Sequence, residues 1–121
     1  MRNLSSDSSP DTIIMNCDTA SILCVEPSAE ARAVLQEILA PHRIVFACNA
    51  YEALRELHGS TWDTYVLECW LPDLPGVRVC REIRKIDPHG PVMFCTGAAR
   101  QADRECAFRA GASRFVFPVA A

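Results

Sequence analysis

The sequence contains one lysine, Lys85, in 121 residues, and its remaining side-chain cations are arginines and three histidines. No run approaches the roughly 18 consecutive apolar residues that indicate a membrane span. The first twenty residues are polar and acidic, and they lack the basic and apolar regions of a secretion signal. These absences lead us to expect a cytoplasmic protein that makes no membrane contact.

None of the seven cysteines forms a C-x-x-C pair, and no Cys/His cluster has the spacing of a zinc site. Several cysteines lie inside apolar runs, where a free thiol packs as a small hydrophobic group. The odd count and scattered spacing argue against a disulfide framework and fit a reducing compartment. Neither redox chemistry nor metal binding is therefore expected of the cysteines.

The sequence also lacks a helix-turn-helix, a basic arm and a glycine-rich phosphate loop, and it shows no nucleophile–base pair. Its net charge is −3. We therefore expect neither direct nucleic-acid binding nor an enzyme with its own turnover. The charge is uneven, because residues 1–75 hold 11 Asp/Glu against 4 Arg, whereas residues 76–121 hold 4 Asp/Glu against 8 Arg/Lys. Such asymmetry can steer a partner, although a solvated helix face is its commoner cause.

Half of the residues are hydrophobic, which suits one compact domain. Residues 1–20 are predicted to form a flexible N-terminal arm, and residues 21–121 the domain. Short apolar runs predict five strands, at 21–26, 43–48, 64–69, 91–96 and 114–117. Helical spacing predicts four intervening helices, at 28–40, 49–59, 77–86 and 100–111. This alternation predicts an α/β fold with a parallel sheet and helices on both faces.

Three polar residues end predicted strands: Glu26, Glu68 and Thr96. In parallel sheets of this kind, functional groups gather where the carboxyl ends of the strands meet. The three side chains are therefore expected at one edge of the sheet.

Four segments, in this order, resemble the receiver domain of bacterial two-component response regulators: "ILCVEPS", "VLECWLPDLPG", "PVMFCTG" and "AFRAGASRFVFP". The likeness covers about residues 21 to 118, and its L-P-D-x-x-G portion is the most specific. It implies a flavodoxin-like fold with five parallel strands. It also implies that the last helix of such domains is missing, because "FPVAA" follows the fifth strand.

The resemblance implies phosphoryl transfer to an aspartate, assisted by Mg²⁺, a lysine and a Thr/Ser hydroxyl. Glu68 stands at the phosphoacceptor position, Glu26 at the first acidic position and Pro27 at the second, where a metal ligand is usual. Thr96 supplies the hydroxyl, and Phe117 or Pro118 stands near the place of the lysine. These departures remove most of the electrostatic stabilisation that phosphoryl transfer needs.

The sequence therefore favours a pseudo-receiver that acts by protein–protein contact, without phosphorylation and without Mg²⁺. Two other functions stay open: a phosphorelay receiver phosphorylated at Glu68 with a rearranged metal site, and a small-ligand or metal sensor. Glu68 has three interpretations. It mimics a phosphorylated state by accepting a hydrogen bond from Thr96, it forms a relic acidic pair with Glu26, or it binds a divalent ion weakly with Glu26 and the Trp70 carbonyl.

Several residues are candidates for a switch or an interaction surface. Phe115 occupies the place of the family's aromatic switch residue, although a core role is the commoner one for such an aromatic. Trp70 is either an exposed anchor for a partner or a lid on the acidic pocket. Four arginines have two alternative interpretations, a docking face for a sensor kinase or an output protein, or a solvated helix face: Arg100, Arg104, Arg109 and Arg114.

The face that lacks the last helix is the other candidate surface, because an exposed apolar strip on a small domain usually marks an interaction site. Homodimerisation through this face is one expectation. Docking of the apolar "TIIM" segment of the arm is a second, and cover by a segment of a longer chain is a third.

Overall fold

The computed structural model describes residues 19–96 and 100–116, which alternate between strand and helix. The elements are β1 (Ser21–Val25), α1 (Ala29–Leu39), β2 (Arg43–Ala47), α2 (Ala50–Gly59), β3 (Thr64–Leu67), α3 (Gly76–Ile86), β4 (Val92–Cys95), α4 (Gln101–Ala110) and β5 (Arg114–Val116). The five strands are all parallel, in the order β2-β1-β3-β4-β5. The predicted α/β architecture is confirmed, and its element boundaries lie within two residues of those expected.

The helix ends follow local chemistry that the sequence shows. The Ser28 hydroxyl accepts from the backbone N–H of Ala31 at 3.2 Å, and Asn49 Oδ1 accepts from that of Glu52 at 2.8 Å. Each bond satisfies a donor that the first turn of a helix leaves without a partner. At the far end of α4, Gly111 adopts φ +113°, in the left-handed region that favours glycine.

The two faces of the sheet carry unequal cores. The larger core packs alternate strand residues such as Leu23, Leu67 and Phe94 against α2, α3 and α4. The smaller core comprises Ile22, Cys24 and Val66, with partly buried residues of α1 beside them. Within the described residues, three helices therefore cover one face and a single helix covers the other.

Helix α1 is consequently less buried than its sequence spacing predicts. Leu35, Ile38 and Leu39 recur at a spacing that predicts one inward face, yet none of the residues of α1 is fully buried and Ile38 is 67% exposed. Ile86, the last residue of α3, is likewise exposed rather than packed. Helices spanning a membrane are absent from the described part of the chain. The predicted arm (1–20, apart from its last two residues) and the segment after β5 (117–121) lie outside the described residues.

One arginine, Arg84, forms hydrogen bonds with several backbone carbonyls at the amino end of the sheet. Arg84 Nε donates to the carbonyl of Gly111 at 2.9 Å, and its Nη1 donates to the carbonyls of Asp87 at 3.0 Å and Gly90 at 2.7 Å. The Asp87 carboxylate accepts from the Tyr65 hydroxyl at 2.9 Å. This network ties α3 to the start of β3 and to the end of α4.

Candidate functional site

Two of the three predicted strand-end residues are in direct contact. Glu68 follows β3 and Thr96 follows β4, so both lie at the carboxyl edge of the sheet. The Thr96 hydroxyl donates a 2.5 Å hydrogen bond to Glu68 Oε2. Thr96 is almost completely buried, and a short bond to an ionised oxygen is among the stronger hydrogen bonds in proteins.

The same carboxylate oxygen accepts from the backbone of the following loop. The N–H of Cys69 lies 2.8 Å from Glu68 Oε2, and the N–H of Trp70 lies 3.4 Å from it. The side chain therefore turns back over its own strand end instead of extending into solvent. One hydroxyl and two backbone amides, contributed by two strand ends, converge on one oxygen.

Glu26 completes the acidic pocket at the end of β1. Its side chain is buried, and its Oε2 accepts from the N–H of Ser28 at 3.0 Å. Burial raises the pKa of the Glu26 carboxyl, and the nearby charge of Glu68 raises it further. The Ser28 hydrogen bond and the Arg32 charge act in the opposite direction.

Arg32 places a cation beside this pocket, which the sequence analysis did not anticipate. Its Nη1 donates to the carbonyl oxygens of Glu26 at 2.9 Å and Pro27 at 3.0 Å. The available signal was its position one turn into α1, from which a long side chain reaches back over the preceding loop. The pocket therefore contains a fixed positive charge supplied by the chain itself.

The loop between β3 and α3 is anchored by Asp73, the aspartate of the L-P-D-x-x-G motif. Its two carboxylate oxygens accept from the backbone N–H groups of Ala50 and Tyr51, each at 2.9 Å. These are donors at the start of α2, where negative charge is favoured. The bond from Ala50 is the main cause that lowers the pKa of Asp73; burial opposes it, and the bonds from Tyr51 and the loop itself lower the pKa further.

Gly76 lets the same loop approach the acidic strand end. Its N–H donates to the carbonyl of Cys69 at 2.9 Å. A Cβ at this position would overlap the carbonyl oxygen of Glu68 and lie 3.1 Å from the Phe94 ring. The glycine of the L-P-D-x-x-G motif is thus required by a close backbone contact next to Glu68.

The two aromatic candidates occupy different environments. Trp70 is 53% exposed and forms an isolated antiparallel bridge with Pro75 across the loop. Phe115 is partly buried against the larger core, and its ring stacks on Phe94 with the centroids 6.2 Å apart. The Phe115 ring therefore points inward, while most of the Trp70 ring is available to a partner.

The four candidate arginines do not share one face. Arg100 and Arg104 lie four residues apart, at the start of α4, and Arg104 stacks over the exposed ring of Phe108 at 5.5 Å. Arg109 lies on an adjoining side and donates to the Cys106 sulfur at 3.6 Å. Arg114 alternates with the inward-facing Phe115 on β5, so it points to the opposite face of the sheet from α4.

The described residues do not fit a magnesium site of the kind that the resemblance implies. Mg²⁺ requires several hard oxygen ligands in near-octahedral geometry. Pro27 offers no side-chain oxygen, Glu68 Oε2 is occupied by three donors, and the Arg32 cation lies beside Glu26. No group of three or more potential metal-ligating side chains occurs in residues 19–96 and 100–116. Lys85 is remote, since it pairs with Glu82 at 2.8 Å on α3.

Comparison with known families decides the membership of the chain. The model of the response regulator receiver domain matches residues 22–118. The chain belongs to this family. It is therefore the receiver domain of a response regulator in two-component signalling, and the flavodoxin-like fold is confirmed. Gly97, which follows the Thr96 position, and Phe117 and Pro118, near the place of the family's lysine, lie outside the described residues.

Individual relatives of this receiver share about a third of its residues or fewer. A probable transcriptional regulator, ycf27, of Guillardia theta is 33% identical over 78% of the chain, which covers 38% of that relative. The chemotaxis protein CheY of Thermotoga maritima is 29% identical over 78% of the chain and 82% of its own length. The chain thus spans about four tenths of the first relative and most of the second.

A solved structure extends the comparison. The receiver domain of the sensor histidine kinase PA1611 from Pseudomonas aeruginosa, with a magnesium ion coordinated in its active-site cleft, is 26% identical with a TM-score of 0.76. The match covers 85% of this chain and 88% of that one. The two receivers therefore share a fold. They differ at the carboxyl edge of the sheet, where Pro27 and Arg32 of this chain do not fit a magnesium site.

Proposed function

We propose that this receiver is a signalling module whose state does not depend on phosphorylation, because the Glu68 carboxylate already binds the groups that would read a phosphoryl oxygen. The observation that carries the proposal is the 2.5 Å hydrogen bond from Thr96 Oγ1 to Glu68 Oε2. Of the three interpretations of Glu68, this bond favours mimicry of the phosphorylated state.

The backbone donors support the same interpretation. The Cys69 and Trp70 amides point at the oxygen that Thr96 also contacts. Three donors converging on one point form a site for an anionic oxygen, and the longer glutamate side chain delivers such an oxygen there itself. An incoming phosphoryl group would have to displace this carboxylate before it could use any of the three donors.

The inward Phe115 ring is consistent with a receiver held in its active-like arrangement. In the family, the aromatic switch residue turns inward when the hydroxyl moves towards the phosphate. Here the hydroxyl of Thr96 is bound to Glu68, and the ring of Phe115 is stacked on Phe94. The packing of the Phe115 ring in the core and the hydrogen bond of the Thr96 hydroxyl would then both stabilise the active-like arrangement.

The proposal assigns no turnover and no Mg²⁺ to this site. Arg32 provides the positive charge that a metal would otherwise supply, and its guanidinium is held by two backbone carbonyls. The competing hypotheses, phosphorylation of Glu68 and sensing of a small ligand or metal, each require Glu68 to release its three donors. We place the module in the cytoplasm, where its family partners act.

The output would be contact with a protein partner, a sensor kinase or an output protein. Arg100, Arg104 and Phe108 form an exposed cationic and aromatic strip along α4, and the exposed Trp70 ring lies in the β3–α3 loop. Aromatic and arginine side chains are the residues that dominate binding at protein interfaces. Direct contact with nucleic acid is not part of the proposal.

A titration with beryllium trifluoride, a mimic of the phosphoryl group, together with Mg²⁺ tests this function. We expect the ¹H–¹⁵N signals of Cys69, Trp70 and Thr96 to stay in place, because their donors are already engaged. In Glu68→Ala the same signals should shift without any addition, whereas Glu105→Ala, on exposed α4, should leave them unchanged. Saturable shifts of these three signals in the wild-type chain would refute the proposal.

A further inference from the structure

The sheet face that carries α1 has a covered half and an open half. Helix α1 packs through Leu35 and Leu39 over the core formed by β1, β2 and β3. On the same face, β4 and β5 present three apolar residues and one arginine: Met93, Cys95, Val116 and Arg114. Val116 is 38% exposed, and no helix among the described residues packs over these strands.

The exposed apolar residues of α1 border this open half. Val34 is 55% exposed and Ile38 is 67% exposed, and they lie four residues apart on one side of the helix. The face therefore presents a ridge, formed by α1, beside a shallow depression over β4 and β5. A ridge and a depression on one surface can fit a second copy of the same surface.

Only one orientation of two copies brings the ridge over the depression. If the two-fold axis runs parallel to the strands, α1 of each copy lies over β4 and β5 of the other. An axis perpendicular to the strands in the same plane would instead place α1 against α1. Steric fit therefore selects the first arrangement, in which positions at the same height along the strands face one another.

The charges on the two sides of the face select the same orientation. The exposed acids Glu30 and Glu37 lie on α1, and the exposed Arg114 lies on β5. Strand pairing places Arg114 level with Met93, Val66 and Cys24, in the carboxyl half of the sheet. The first arrangement places the acidic α1 of each copy over the half of its partner that carries Arg114, whereas the second places the acids of α1 opposite each other.

We propose that this face binds a second copy of the chain, forming an isologous dimer in which Ile38 and Val34 of each copy cover β4 and β5 of the other. The acids of α1 in one copy, Glu30 and Glu37, then lie on the helix that faces Arg114 of its partner, twice across the two-fold axis. The dimer buries the largest exposed apolar strip on α1 and does not depend on the state of Glu68. It differs in that respect from the proposed output surface on α4.

Sedimentation velocity of the full chain over a concentration series tests the dimer. We expect a reversible monomer–dimer equilibrium and a dissociation constant at least about tenfold higher for Ile38→Asp, since an interface core tolerates no unpaired charge. Ile86→Asp is the matched control, because Ile86 is a similarly exposed isoleucine at the end of α3 on the other face. It should leave the constant unchanged, and both variants should match the wild-type melting temperature at concentrations where the wild type is monomeric.

A charge swap tests the orientation. Glu37→Arg and Arg114→Glu should each weaken the dimer several-fold, and the double variant should recover most of the loss. A strictly monomeric wild type would overturn the proposal. It would indicate instead that residues 1–18 or sequence beyond β5 pack on this face. Equal effects of the Ile38 and Ile86 variants, or a charge swap without recovery, would overturn it as well.

Discussion

The two ends of the sheet use polar side chains in opposite ways. At the amino end, the cationic Arg84 binds three backbone carbonyls, and the anionic Asp87 accepts from Tyr65. At the carboxyl end, two buried or half-buried acids of like charge, Glu26 and Glu68, share one pocket. In the first arrangement, donors and acceptors meet in complementary pairs, whereas in the second, burial and a neighbouring acid raise the pKa of the Glu26 carboxyl.

This difference separates a structural network from a functional one. Side chains that only hold the fold have their hydrogen bonds satisfied, as Arg84 has. Two acids of like charge in one pocket have a desolvation and repulsion cost that other contacts must offset. Glu68 reduces that cost by turning its oxygen towards Thr96 and two backbone amides. Under the proposed function, the carboxyl end retains the donors of a phosphoryl site, and the Glu68 carboxylate occupies them.

The largest expected effect comes from crowding the carboxyl end. Gly76→Ala should destabilise the domain by about 3 kcal/mol, because the new Cβ overlaps the Glu68 carbonyl and the loop has to move. Urea denaturation measures this change. Gly59→Ala is the control, since its Cβ meets nothing within 4 Å, and it should be neutral or slightly stabilising. Equal costs for the two variants would remove the steric explanation.

Removing the Arg84 hydrogen bonds at the amino end of the sheet should lower the stability of the domain somewhat less. Arg84→Ala removes hydrogen bonds to three carbonyls and should destabilise the domain by about 2 kcal/mol. Arg81→Ala, on the exposed side of α3, should change stability by less than about 0.5 kcal/mol. The Arg84 variant should still ignore beryllium trifluoride, because the two ends are independent. A gain of response in that variant would show that they are coupled.

Detaching the β3–α3 loop should have a smaller effect with a defined pH dependence. Asp73→Ala should cost about 1 kcal/mol at neutral pH, the usual scale for losing a cap at a helix start. Because the folded pKa of Asp73 is lowered, its stabilisation is present above the unfolded pKa and is lost as the pH falls through the folded one. Thermal melts of both proteins should therefore converge in acid. A gap that persists there would point to lost packing instead.

The smallest effect is expected at Glu26, and it has the opposite sign. Because the folded pKa of Glu26 is raised, wild-type stability is highest below the unfolded pKa and falls as the pH rises through the folded pKa. Glu26→Gln keeps an acceptor for Ser28 and removes the charge, so it should raise the melting temperature slightly at neutral pH and leave it unchanged in acid. Destabilisation at neutral pH would instead mean that the charge is required, as in an ion-binding pocket.

The sequence predicted the fold and the positions of the site well, because both depend on local patterns. Apolar runs and capping residues such as Ser28 and Asn49 located the strands and helices. The proximity of Glu68 and Thr96 also followed, since parallel strands bring their carboxyl ends to one edge, whereas the hydrogen bond between them was one of three open interpretations of Glu68. These inferences needed only the period of each element and the topology of the sheet.

Contacts made by long or distant side chains were beyond that reasoning. Arg32, Asp73 and Arg84 act on backbone groups elsewhere in the fold, and nothing in their neighbouring residues specifies the partner. Exposure of Ile38 was also missed, because the spacing of apolar residues on a helix shows which side is apolar but not what covers it. Arg114 lies on the opposite side of the sheet from the arginines of α4. This could not be predicted, because only the structure shows that the neighbouring Phe115 faces the larger core.

Intact-mass measurement after incubation with a small acyl phosphate and Mg²⁺ tests the central claim most directly. If Glu68 fills the site from within, the wild-type mass stays unchanged under conditions in which an unmodified receiver with an aspartate acceptor gains a phosphoryl group. A stoichiometric gain of one phosphoryl group, lost in Glu68→Ala, would show that Glu68 releases its donors and accepts phosphate, and would contradict the account.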